Sequence, residues 1–135
     1  MNREIKFRVW DKELENMFYN GKWVNNDSFV FDLLTGDLYL KDLEDNQVYK
    51  YHEQDRFIIT EYTGLKDRNG KEIYEGDICL SEKQYKCYVE WNKDEASFYF
   101  IDPMDGKSMI DTLTAPEKVQ VIGNIYENPE LCEEK

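Results

Sequence analysis

The sequence predicts a strand-rich fold, all-β or β-rich α+β, whose helices are few and short. Two observations carry this. Alternating, β-branched or aromatic runs recur along the chain between Gly, Asn and Asp turns, and no segment sustains a 3.6-residue apolar stripe over three helical turns. The 135 residues suffice for one ordinary domain or two very small ones. A hydrophobic fraction of 41%, with 10 Tyr, 7 Phe and 3 Trp, supplies large side chains for a core, so the 34% charged content does not imply disorder.

The first strand is read over residues 4–10, where Ile5, Phe7 and Val9 face one way and Lys6, Arg8 and Trp10 the other. Asp11 to Asn16 is a turn, Met17–Tyr19 is short and apolar, and Asn20-Gly21 suits a tight hairpin with Lys22–Val24 returning antiparallel. FVFDLL (29–34) and LYLKDL (38–43) form a second hairpin about Gly36. VYKYH (48–52) and RFIITEYT (56–63) read as strands, with HEQDR (52–56) able to close a short helical turn between them. Turns dominate 64–77. Thereafter come ICLS (78–81), YKCYVEW (85–91), SFYFI (97–101), a turn at Pro103–Gly106, SMIDTL (108–113) and VQVIGNIY (119–126), at the spacing of a small sandwich or barrel. The ELCEEK tail is a candidate helical turn.

Seventeen basic against 29 acidic residues give a formal charge of −12, which disfavours binding to nucleic acid and favours basic partners. The opening MNREIKFRVWDKELEN lacks a basic segment followed by an apolar run, and no run approaches membrane-spanning length, so neither a signal peptide nor a membrane partner is expected. Three cysteines at irregular spacing do not read as a disulfide framework and point to a reducing cytoplasm.

No catalytic, cofactor-binding or metal-binding residue is assigned, and no cofactor is implied. His52, the one histidine, has no Cys or His neighbour at ligand spacing, and no motif supports a Cys–His nucleophilic pair. Cys79 and Cys87 fall in strands as small buried apolar residues, while Cys132 in the acidic tail is expected to be exposed. GLKDRNGK lacks the spacing of a phosphate-binding loop, leaving Lys66, Arg68 and Lys71 as a local basic cluster suited to an exposed turn or to an acidic patch on a neighbouring subunit. Trp10, Trp23, Trp91 and the tyrosines exceed what so small a core buries, which argues for self-association or partner binding.

Three strings resemble one family. YTGLKDRNGKEIYEGDI (62–78), KFRVWDKELENM (6–17) and VIGNIYENPEL (121–131) are similar to the signature, opening and ending of the YopX-like proteins of phages and prophages. The resemblance implies an N-terminal α+β part (1–63), an SH3-like small barrel with a C-terminal tail (64–135), ring-like homo-oligomers, residence in the bacterial host cytoplasm and no enzyme activity. The expectation is therefore a non-enzymatic phage or prophage accessory protein of unknown function that self-associates and binds a host or phage protein. The alternatives are an acidic decoy that mimics nucleic acid toward a basic host protein, and an unrecognised hydrolase. The central string also has a purely structural reading, with Gly64, Gly70 and Gly76 at turns and Ile73, Tyr74 and Ile78 packing inward.

Overall fold

The computed structural model describes residues 4–24, 27–32, 34–50, 54–108 and 116–133. The chain divides into two compact units, one of residues 6–59 and one of residues 1–5 with 60–135.

In the first unit, β1 (Phe7–Asp11) pairs antiparallel with β2 (Asn16–Phe18), Trp10 opposite Met17. β3 (Ser28–Phe31), β4 (Leu38–Lys41) and β5 (Val48–Lys50) form a separate antiparallel sheet in the order β3-β4-β5. Alternation places Phe29, Phe31, Leu38 and Leu40 on one face, and the core is built there: Val9, Leu38 and Phe57 are buried, with Trp23, Phe29 and Ile59 packed around them. The rings of Trp23, Phe29 and Phe57 meet at 5.3–5.8 Å, two of the three contacts edge-on, the favoured aromatic geometry.

In the second unit, β7 (Glu72–Tyr74) pairs antiparallel with β6 (Phe57–Lys66), a strand that begins in the first unit. β8 (Asp77–Ser81), β9 (Lys86–Asn92), β10 (Ser97–Ile101) and β11 (Val119–Asn124) form an antiparallel sheet in the order β10-β9-β8-β11. One face of that sheet supplies Cys79, Cys87, Val89, Phe98, Phe100, Val119 and Val121, which close over Ile73 of β7 and Leu65 of β6.

Both halves correct the expected fold class. The N-terminal part is not α+β: among the described residues the chain has no α-helix, and its helical segments are 3-10 turns at Gln54–Arg56, Pro116–Lys118 and Pro129–Cys132. The molecule is all-β. Among the described residues the second unit is a half-barrel and not a closed SH3-like barrel, with β10 and β11 ending the sheet order at opposite edges.

A repeated hairpin explains why strands prevail. Loops starting at Asp11, Asp32, Asp42 and Asn92 all turn the same way: the side-chain oxygen accepts the N–H groups two and three residues on, and the fifth residue has positive φ. The loop from Asp102 to Gly106 follows the same plan with one such bond, to the Met104 N–H. The Asx residue closes the turn, and the left-handed residue matches the twist of the flanking strands.

Element by element, strands form where expected, and also inside 64–77, where turns were expected but β6 runs on to Lys66 and β7 covers Glu72–Tyr74. Asn20 and Gly21 both take positive φ, as a tight turn requires, yet Lys22 makes only an isolated bridge to Ser28 instead of starting a returning strand. Arg8 and Trp10, placed by alternation opposite the core face of β1, are themselves buried. The SMIDTL strand lies mostly outside the described residues, with Ser108 bridged to Ile101. The tail forms a single 3-10 turn at Pro129–Cys132.

Candidate functional site

Buried polar groups are where chemistry would be sought, and the first unit holds such a cluster around Asp11. Asp11, fully buried at the end of β1, receives a two-pronged ion pair from Arg56, Nε and Nη2 each at 2.8 Å from a carboxylate oxygen. Trp23 Nε1 donates to the same carboxylate at 3.0 Å, and the Glu13 and Leu14 N–H groups complete its shell. The Arg56 guanidinium lies 5.3 Å from the ring centres of both Trp23 and Phe57, and Nη1 reaches Glu13 at 3.3 Å. Burial pushes the Asp11 carboxyl up, but the Arg56, Trp23 and backbone donors outweigh it and hold it below the usual carboxylate range. A carboxylate so fully engaged has no lone pair left for substrate. The cluster is a pin joining the β1–β2 turn to the 3-10 turn before β6, where the Lys12 N–H also bonds to the Arg56 carbonyl at 2.9 Å.

Asp67 does the same work in the second unit. Its Oδ1 accepts the N–H groups of Asn69 and Lys71, closing the turn, while its Oδ2 accepts the Val121 N–H at 2.8 Å on the outer edge of β11. The neighbouring Arg68 N–H bonds to the Val119 carbonyl at 3.0 Å, and its guanidinium reaches Gln120 Oε1 at 2.6 Å. The Lys66, Arg68 and Lys71 cluster thus flanks a buried acid, with Arg68 bound to β11. Burial again opposes ionisation of Asp67, and the Val121, Lys71 and Asn69 N–H groups overcome it.

A third knot joins the Glu75-Gly76-Asp77 turn to the end of β11. The Asp77 carboxylate accepts the Tyr74 N–H at 2.8 Å, the Gly76 N–H bonds to the Val89 carbonyl, and the Ile125 N–H bonds to the Gly76 carbonyl. A Cβ at Gly76 would lie 2.9 Å from the Tyr126 ring, and the φ of +90° there is open only to glycine without strain. Asn124 Oδ1 caps the Tyr126 and Glu127 N–H groups, and the Asn128 side chain folds back so closely that a Cβ at Gly123 would strike it.

The cysteines follow their burial. Cys79 and Cys87 stand directly opposite on β8 and β9, both fully buried, and burial pushes both thiols up, that of Cys87 to about 12. Neither is a poised nucleophile. Cys132, expected to be exposed, is half-buried in the last 3-10 turn, a correction that follows from the tail folding back through Asn128. His52 lies outside the described residues. Among the described residues, no group of three His, Cys, Asp or Glu side chains is placed to hold a metal ion, and no helix is long and apolar enough to cross a membrane.

What the surface offers instead is apolar. On the β3-β4-β5 sheet all three residues of β5 are exposed, Val48 at 52% and Tyr49 at 46%, and Leu34 at the tip of the β3–β4 turn is 96% exposed. Of the tryptophans, Trp10 is buried, Trp23 packs in the first core, and Trp91, 42% exposed, lies edge-on to Phe98 at 4.9 Å.

The three knots use the opening, central and closing strings singled out above, and a family model described as YopX protein matches residues 6–133. The chain belongs to the YopX protein family. Among solved structures it is similar to protein EF1440 from Enterococcus faecalis, at 23% identity and a TM-score of 0.67, covering 98% of this chain and 100% of that one. It is also similar to protein yopX from Bacillus subtilis, at 23% identity and a TM-score of 0.56, covering 96% of this chain and 97% of that one. At such identities the likeness is one of fold. No curated protein matches the chain.

Sequence reasoning passed over Asp11, Arg56 and Asp67. Nothing local marks Arg56 as the partner of a residue 45 positions earlier. Asp67 stood inside the central string, where its charged neighbours drew attention away from it.

Proposed function

We propose that this YopX family member is a non-enzymatic interaction module, a phage or prophage accessory protein that associates with copies of itself and through them with another protein. The observation that carries this reading is the contrast between interior and surface. The polar groups of Asp11, Asp67 and Asp77 are bound to the chain's own donors, while strand-forming apolar side chains on β5 and Leu34 at a turn tip stand in solvent. Small proteins that expose such side chains together commonly do so to bind. The test is light scattering after size exclusion on the purified chain over a concentration series. A mass rising to a multiple of 16.2 kDa supports the reading, and a constant monomer contradicts it.

A further inference from the structure

The chain holds two Asn-Gly pairs at turns, Asn20-Gly21 and Asn69-Gly70, and the fold treats them differently. Asparagine is thermolabile because its side-chain carbonyl carbon lies within reach of the next residue's backbone nitrogen, and a following glycine has no Cβ to hinder the approach. The dipeptide is the same in both places. What differs is the state of the glycine N–H.

Asn69-Gly70 sits in a turn tied down on both sides. The Asn69 and Lys71 N–H groups donate to Asp67 Oδ1 at 2.8 and 2.9 Å, the Gly70 N–H donates to the Asp67 carbonyl at 3.0 Å, and the Asp67 N–H donates to the Lys71 carbonyl at 2.8 Å. The nitrogen that would attack is thus already engaged inside the turn, and the buried Asp67 carboxylate fixes the residues on either side of it. At Asn20-Gly21 both residues take positive φ, and the turn is closed by the Lys22 N–H on the Tyr19 carbonyl at 3.2 Å. A turn of that hand leaves the N–H of its second central residue pointing outward. Among the described residues nothing accepts a bond from the Gly21 N–H or from the exposed Asn20 side chain. Past the turn Lys22 makes an isolated bridge to Ser28, so opening it breaks no strand ladder.

We propose that Asn20 is a site of self-modification, at which the folded chain converts to aspartate and isoaspartate while Asn69 is protected. The Gly21 nitrogen bonds to the Asn20 side-chain carbonyl carbon, its proton leaves with the amide nitrogen as ammonia, and a five-membered imide closes. Water then adds to either carbonyl of the imide, giving aspartate or, with the chain rerouted through the side chain, isoaspartate. Water enters and ammonia leaves, and no oxidant or reductant is needed. The product adds one negative charge to the −12 of the chain. Isoaspartate also puts an extra backbone carbon before Gly21, whose carbonyl accepts the Phe29 N–H at 2.7 Å, and the Phe29 ring packs against Trp23 and Phe57 in the first core. Conversion at Asn20 therefore loosens the attachment of β3 to the turn.

The test holds the purified full chain for weeks in mildly alkaline buffer, folded and, in parallel, in urea. Mass spectrometry follows the peptides that carry Asn20 and Asn69 and scores isoaspartate by fragmentation. In urea the two Asn-Gly pairs lose the fold's distinction and convert at similar rates. In the folded chain Asn20 converts at least about ten-fold faster than Asn69, because freeing Gly70 costs at least one net hydrogen bond. The urea midpoint of the aged chain falls below that of Asn20→Asp, which brings the charge without the extra carbon. Equal rates at the two sites in the folded chain, or conversion at Asn69 first, overturn the proposal, as does an Asn20 that converts in urea and stays intact in the fold. An aged, converted chain as stable as Asn20→Asp overturns the loosening of β3.

Discussion

Asp11 and Asp67 are single side chains on which several backbone and side-chain donors converge, so small changes there should be costly. Asp11→Asn removes the buried charge that the half-buried Arg56 meets and leaves Arg56 facing the exposed Glu13, a change that costs about 3 kcal/mol. Denaturation in urea should show the midpoint falling accordingly, and an unchanged midpoint would mean that the pin carries no stability. The two carboxyls also set an acid limit. Both have pKa values depressed below 3.8 in the fold, so the unfolded chain binds more protons as pH falls. Their stabilisation is present above the ordinary carboxylate range and is lost as pH drops below about 4 through the folded values. Urea midpoints measured from pH 6 to 2 should decline in that window. In the Asp11→Asn, Asp67→Asn double variant the decline should be shallower.

Hairpins are the element in which this sequence is most legible. The alternation in FVFDLL and LYLKDL and the glycine between them place β3 and β4 correctly, because period two and a turn residue are local signals. Less legible was the loop plan itself. Glu15 and Ala96 take positive φ without being glycine or asparagine, and only the Asx residue four positions earlier marks them. Ala96→Gly should therefore relieve left-handed strain, raising stability by up to about 1 kcal/mol after the entropy that glycine adds to the unfolded chain. A lowered urea midpoint would show that the loop is not strained. Gly76→Ala should act in the opposite sense, since the added Cβ meets the Tyr126 ring and a positive φ together. A loss of about 1–3 kcal/mol is expected, measured the same way. The N-terminal α+β expectation failed at this scale. It came from a resemblance and not from any 3.6-residue pattern, and the residues themselves carried alternation and turns.

At the scale of the whole molecule, the candidate site was barely legible, for a physical reason. Pins such as Asp11–Arg56 depend on residues brought together from 45 positions apart, and an exposed edge is defined by what fails to cover it, neither of which leaves a local trace. The excess of aromatic residues was visible in composition, and it is realised unevenly, with Trp10 buried and Tyr49, Tyr85 and Trp91 in solvent. Buried thiols give an independent view of the intact fold. Cys79 and Cys87 should resist a thiol reagent near neutral pH, Cys132 should react slowly, and all three should react at once in denaturant. Fast reaction of two or more thiols in native buffer would contradict the second core as described. The most direct measurement on the function is the sedimentation-derived mass of the wild-type chain at low and high salt. An assembly held by apolar side chains predicts a multiple of 16.2 kDa that persists or strengthens in high salt. A monomer at both salt concentrations would contradict it.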